Sequence, residues 1–195
     1  SGPSIIDELR ISNIARTPEE IRQRAAMDPG AAEPVYLSDL KPVSSDQRMG
    51  DVGINTDTGP DDRQLPMIIR DTAYGQGLSI HAPGTVTFDL PEGAERVVCL
   101  AGVSPLTADT SATLIFSLDD TEVIRSTLAA GDPAETVDIE LTRGQHLTIT
   151  AEPAGAPGAA VIIAHPVFLT ADGIAPPPFA QTLSDEQLRL QRTRT

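Results

Sequence analysis

The chain has 195 residues, 39% of them hydrophobic, which suffices for one full-sized core with extensions or for one domain plus a piece of a second. Its 28 acidic and 14 basic residues give a formal net charge of −14, which repels a polyphosphate backbone and an anionic membrane alike, so nucleic acid is not an expected partner. No run of 18 apolar residues is available for membrane insertion, and no signal-peptide pattern opens the chain, so any export signal is expected upstream.

The first predicted elements lie near the N-terminus. Residues 4–12 carry Ile6, Leu9 and Ile11 among polar neighbours and read as a strand. Thr17-Pro18-Glu19-Glu20 combines a capping box with proline at the first helical position and acids in the first turn, which predicts a helix over about 18–27. Asp28-Pro29-Gly30 stops it.

From residue 35 the pattern changes to short apolar runs separated by Gly, Pro and Asp. Val35–Leu37, Leu65–Ile69 and Leu78–His81 begin the series. In Thr85–Leu90, Val86, Phe88 and Leu90 alternate with polar residues, and the turn Pro91-Glu92-Gly93 follows. Further runs are Arg96–Val103, Ala112–Leu118, Glu122–Ser126, Thr136–Leu141, His146–Ala151 and Ala160–Leu169, with Asp119-Asp120 read as a hairpin turn. Short strands at this spacing, without intervening helical patterns, predict an all-β antiparallel β-sandwich. Cys99, inside an apolar run, has no intrachain partner and is expected to be a buried small hydrophobe. Glu152–Gly158 reads as a loop, Ala175-Pro176-Pro177-Pro178 as a stiff exit, and Ser184-Asp185-Glu186-Gln187 as the start of a short helix. The expected division is an N-terminal strand-helix extension over 1–30, the sandwich over 35–170, and a Pro-rich linker with a short helix over 171–195.

Candidate chemistry is sparse. The chain carries no nucleophile elbow, paired-cysteine motif, His-Glu-x-x-His helix or phosphate loop, so no catalytic residue is assigned and an enzyme is not expected. His81 is placed near a loop at a sheet end, where its imidazole either bonds a ligand hydroxyl or locks the loop through backbone hydrogen bonds. Tyr74-Gly75-Gln76-Gly77 either presents a ring and an amide to a ligand or is a turn whose tyrosine packs inward. The stretch from Asn55 to Asp62 is either a solvated acidic loop or a site for calcium, as cofactor, using Asn55, Asp57 and Asp61. His146 and His165, within or beside strands, are taken as structural.

Two stretches resemble known families. Ile6–Asn13, followed by Ala15–Ile21, resembles the closing strand and trailing helix of concanavalin-like, laminin-G-type domains, which implies that residues 1–30 are the tail of an upstream domain. Tyr36–Leu40, the block Tyr74–Gly84 leading into Val86–Leu90, then Leu100–Val103 and Thr113–Asp119, resemble the NPCBM family of carbohydrate-binding modules over residues 35–169. That resemblance implies a galactose-binding-like jelly roll appended to secreted multidomain bacterial proteins, hence an extracytoplasmic location, with a galactose-type glycan and flanking domains of the same polypeptide as partners. In the binding reading, Tyr74, Gln76, His81 and Asp57 are the expected lectin-like carbohydrate contacts, as hydrogen-bonding residues at loop ends of the sandwich. The sequence departs from the family in Ala160–Pro166, where members usually carry an Asp/His-rich segment with a Trp. With four Phe, two Tyr and no Trp, an aromatic sugar platform is not expected, and a degenerate module serving as a spacer or protein-contact domain stands as the rival reading.

Overall fold

The computed structural model describes residues 34–193 apart from 48, 59–63, 107–109, 142–145, 156 and 171–172. The strand and helix expected within residues 4–27, and the laminin-G-like tail they suggest, lie outside the described residues, as does Asp61.

The chain enters through β1 (Val35–Tyr36), a 3-10 turn (Leu37–Asp39), β2 (Ser44–Gln47), β3 (Gly53–Ile54) and β4 (Asp57–Thr58). Next come β5 (Gln64–Leu65), β6 (Met67–Ile69), β7 (Thr72–Tyr74), β8 (Gly77–His81) and β9 (Gly84–Asp89). The long strands follow: β10 (Arg96–Val103), β11 (Ser111–Leu118), β12 (Thr121–Ala129), β13 (Glu135–Glu140), β14 (His146–Pro153) and β15 (Ala160–Leu169). β16 (Ala180–Thr182) and α1 (Asp185–Arg192) close the described chain.

Two antiparallel sheets face each other. The first has the order β13-β10-β15-β8-β3 with β1 beside β15, and the second β12-β11-β14-β9-β2. The predicted alternation supplies the interface: Val86 and Phe88, Leu114 and Phe116, Val137 and Ile139, and Leu147 and Ile149 all point into one shared core. Fully burying each of these side chains contributes about 1.5–3 kcal/mol. The Asp119-Asp120 turn forms as expected; both residues have positive φ, 45° and 67°, the backbone that a two-residue hairpin needs to follow strand twist.

The structure differs from the expectation in places with physical causes. Leu65–Ile69 is not one strand. Pro66 cannot donate to a ladder, and the chain changes partner there, Gln64–Leu65 pairing with β4 and Met67–Ile69 with β7. β2 carries Ser44, Ser45, Asp46 and Gln47 along the edge of the second sheet, so it has no apolar alternation to announce it. Residues 180–182, within the expected linker, pair with β7 as β16.

The resulting small sheet, β16-β7-β6, forms a third layer. Met67, Ile69 and Tyr74 pack on Ile162 and Ala164, on the face of β15 turned away from the sandwich core. β15 is therefore covered on both sides, which is why Ala160–Val167 reads as a nearly unbroken apolar run. Gly102 permits the close approach, since a Cβ there would lie 2.3 Å from Ile69 Cγ2. α1, opened by a capping box from Ser184 and Gln187, sets Leu188 with Leu183 against Leu65, Ile68, Ala73 and Leu106.

Candidate functional site

β8 positions most of the candidate residues. Leu78 and Ile80 point into the sandwich core, so Ser79 and His81 lie on the opposite face, where β4 brings Asp57. All three are buried, at 2% exposure for Asp57, 0% for Ser79 and 1% for His81. Ser79 Oγ donates to Asp57 Oδ1 at 2.6 Å, and His81 Nε2 lies 3.7 Å from the same oxygen. The His81 backbone N–H donates to Gln47 Oε1 at 3.1 Å, which ties the edge strand β2 to β8. Asp57 and His81 are therefore enclosed by protein, and the Ser79–Asp57 bond joins β4 to β8.

Asn55 is also turned on the protein. Its backbone N–H donates to Gly77 O, its Oδ1 accepts from Gly77 N at 2.9 Å, and its φ of 55° sits in the left-handed region that asparagine tolerates. Asn55 and Asp57 thus have separate protein partners, and among the described residues no three His, Cys, Asp or Glu side chains are grouped to hold a metal.

Tyr74 ends β7 with its ring packed among Met67, Ile69 and Ile162; burial, helped by the Asp71 charge, raises its phenol pKa. Gln76 follows at the turn into β8. It is 6% exposed, its carbonyl accepts from the His165 N–H at 2.8 Å, and its Nε2 finds no hydrogen-bond partner among the described residues.

His165 occupies the irregularity that shapes this end of the sheet. Val98 pairs with Val167 but Leu100 with Ala164, so His165 and Pro166 together oppose the single residue Cys99 in a β-bulge. The bulge shifts the phase of β15: Val161 and Ile163 face the core before it, and Phe168 after it. His165 has φ 52°, is 5% exposed, and packs its ring against Tyr36 at 5.1 Å between centroids. Its Nε2 lies 2.7 Å from Pro176 O, and burial lowers its pKa despite that bond. Nδ1 has no partner among the described residues, nor does Oγ of the buried Ser38 in the 3-10 turn that packs on β15 and β8.

The sequence pattern did not nominate Ser38 and assigned His165 only a structural place. The visible signal was the His165-Pro166 pair interrupting an apolar strand, since a bulge is where such an interruption is tolerated. His146 is at the surface, with Nδ1 2.8 Å from Asp89 Oδ1. Cys99 is buried, and desolvation pushes its thiol well above the ordinary range, leaving it inert as expected.

The family model described as "NPCBM/NEW2 domain" matches residues 33–165. Among solved structures, the fold is similar to CBM51 from Clostridium perfringens GH95 in complex with methyl-galactose, at 17% identity and a TM-score of 0.60, covering 70% of this chain and 99% of that one. It is also similar to the M60 catalytic domain with the CBM51-1 and CBM51-2 domains from Clostridium perfringens ZmpB, at 20% identity and a TM-score of 0.61. There the match covers 70% of this chain but only 15% of the other. CBM51-2 in complex with GlcNAc and INT domains, from the same ZmpB, matches at 14% identity with a TM-score of 0.62, covering 71% of this chain and 32% of that one. At these identities the likeness is one of fold. Among curated proteins, none matches this chain.

Proposed function

Since the chain belongs to the NPCBM/NEW2 domain family, we propose that it is a non-catalytic glycan-binding module of a larger extracytoplasmic protein, recognising galactose-type sugars. The family match over residues 33–165 carries this reading. The likeness in fold to a module in complex with methyl-galactose supports it and suggests the first sugars to try. Location outside the cytoplasm and attachment to flanking domains belong to the same proposal; among the described residues no helix is long and apolar enough to cross a membrane. Linkage to other domains would raise the weak affinity of a single site through effective concentration.

Within this reading the four residues singled out by sequence take different roles. Gln76 is the proposed sugar contact, supported by its buried amide nitrogen without a partner among the described residues, and Tyr74 supports the turn that carries it. Asp57 acts as a positioning residue, accepting from Ser79 to hold β4 against β8 beside His81, while Gln47 ties β2 to the His81 backbone. Calcium enters this proposal only with Asp61 joining Asn55 and Asp57, whose Oδ1 atoms already accept from Gly77 N and Ser79 Oγ.

One observation favours a second reading, a structural spacer. Asp57 and His81 are enclosed, and no Trp is available as a stacking platform. A glycan array probed with the full 195-residue chain, with and without calcium, separates the two. Saturable binding to galactosides supports the module, and silence across the array from folded protein supports the spacer.

A further inference from the structure

Three side chains at the β15 bulge are more than nine-tenths buried, and each carries an atom without a partner among the described residues: Ser38 Oγ, Gln76 Nε2 and His165 Nδ1. They sit on elements that adjoin one another. The Gln76 carbonyl accepts from the His165 N–H, Gly77 pairs with Ala164, and the 3-10 turn carrying Ser38 packs on both β15 and β8. The exit segment walls this region, with Pro176 O on His165 Nε2 and Phe179 O accepting from Gly75 N. Buried polar groups are normally satisfied, so three such atoms on adjoining elements call for a common explanation.

Their hydrogen-bonding roles define what fits. Pro176 O can only accept, so His165 Nε2 carries the hydrogen and, in the neutral ring that burial favours, Nδ1 is an acceptor. Gln76 Nε2 is a donor and Ser38 Oγ is either. A ligand atom shared by Gln76 and His165 must therefore accept and donate at once. A hydroxyl does both. An anion cannot donate to Nδ1, and a cation would meet the amide hydrogens, with no three His, Cys, Asp or Glu side chains grouped to hold it among the described residues.

We propose that the β15 bulge is a hydroxyl-binding site for a neutral sugar, one hydroxyl of which accepts from Gln76 Nε2 and donates to His165 Nδ1 while Ser38 Oγ bonds the same or the adjacent hydroxyl. Residues 173–179 form the wall that yields on entry. This inference rests on the glycan-binding reading and names the site for it.

The test uses the full chain labelled with ¹⁵N-histidine and ¹⁵N-glutamine, titrated with methyl galactoside and, separately, N-acetylglucosamine. The expected result is a saturable shift of the His165 Nδ1 and Gln76 side-chain amide resonances. Gln76→Leu should weaken binding at least tenfold while raising the unliganded melting temperature, because it replaces an unpaired buried amide with an apolar group. Ser38→Ala, a smaller change, should weaken binding severalfold and provides the readout if Gln76→Leu does not fold. Sugar binding that leaves both resonances and both variants' affinities unchanged overturns the site but not the module. No binding to any glycan of the array overturns both. A Gln76→Leu variant that melts lower, with no sugar-dependent shift, assigns the three atoms to a buried structural water and also overturns the site.

Discussion

Asp57→Ala separates a positioning role from a ligand-contacting one. In the parent chain Asp57 Oδ1 accepts a 2.6 Å bond from Ser79 Oγ and lies 3.7 Å from His81 Nε2, with all three side chains at 2% exposure or less. Removing the buried carboxylate leaves Ser79 Oγ without its acceptor and strips the oxygen nearest His81 Nε2, so the loss should be about 3 kcal/mol, the upper end for a hydrogen bond to an ionisable group. With a urea slope of about 2 kcal/mol per molar, the unfolding midpoint should drop by about 1.5 M. The chain has no Trp, so far-UV circular dichroism is the appropriate probe. Ser79→Ala alone should cost about 1 kcal/mol, and the double variant should show a coupling of about 0.5 kcal/mol or more, as groups in direct contact do. An Asp57→Ala midpoint within about 0.3 M of the parent, accompanied by lost glycan binding, would refute the reasoning and turn Asp57 into a ligand contact.

Three further predictions follow from the third layer and from the bulge. Ending the chain at Leu169 removes β16 and α1 and uncovers Leu65, Ile68 and Ala73; with Leu183 and Leu188 each contributing about 1–1.5 kcal/mol, thermal melting should fall by about 5–12 °C, and an unchanged midpoint would show that the third layer does not need its last strand. Gly102→Ala places a methyl 2.3 Å from Ile69 Cγ2 and should cost about 1–3 kcal/mol, with Ile69→Ala in the same chain recovering part of it; additive losses would contradict the clash. Burial lowers the His165 pKa below its ordinary 6.5, so the unfolded chain takes up its proton first as pH falls. The His165 contribution to stability is then complete above pH 6.5 and is lost as pH drops through the folded value, so His165→Gln should show a smaller loss of unfolding free energy between about pH 7.5 and 5 than the parent; equal losses would remove His165 as a source of the pH dependence.

Much of the sandwich was legible in the sequence because its long strands alternate with period two. Val86 and Phe88, or Val137 and Ile139, announce one dry and one wet face without any tertiary information. The short edge strands were not legible. β2 is held by backbone pairing to β9 and by Gln47, and nothing in Ser44-Ser45-Asp46-Gln47 marks it as a strand. β16 forms because β7 offers an unpaired edge, a fact about the neighbour and not about Ala180-Gln181-Thr182 itself. The candidate site was half visible. The Tyr74–His81 block does organise this end of the sheet, but sequence cannot say which way a side chain faces where strands are covered on both sides. His81 and Asp57 are enclosed because β4 folds over β8, and the pairing of His165 with Gln76, and the packing of the Ser38 turn on β15 and β8, are set by contacts between distant segments.

The central claim, that this chain is a glycan-binding module, is tested most directly by isothermal titration calorimetry of the folded full chain with galactosides and with any other glycan the array selects. The account predicts saturable one-site binding, weak for a single module, that survives in Asp57→Ala protein under conditions where that variant remains folded. Absence of heat with every glycan, from protein whose circular dichroism and melting are those of the intact sandwich, would contradict it and leave a structural spacer.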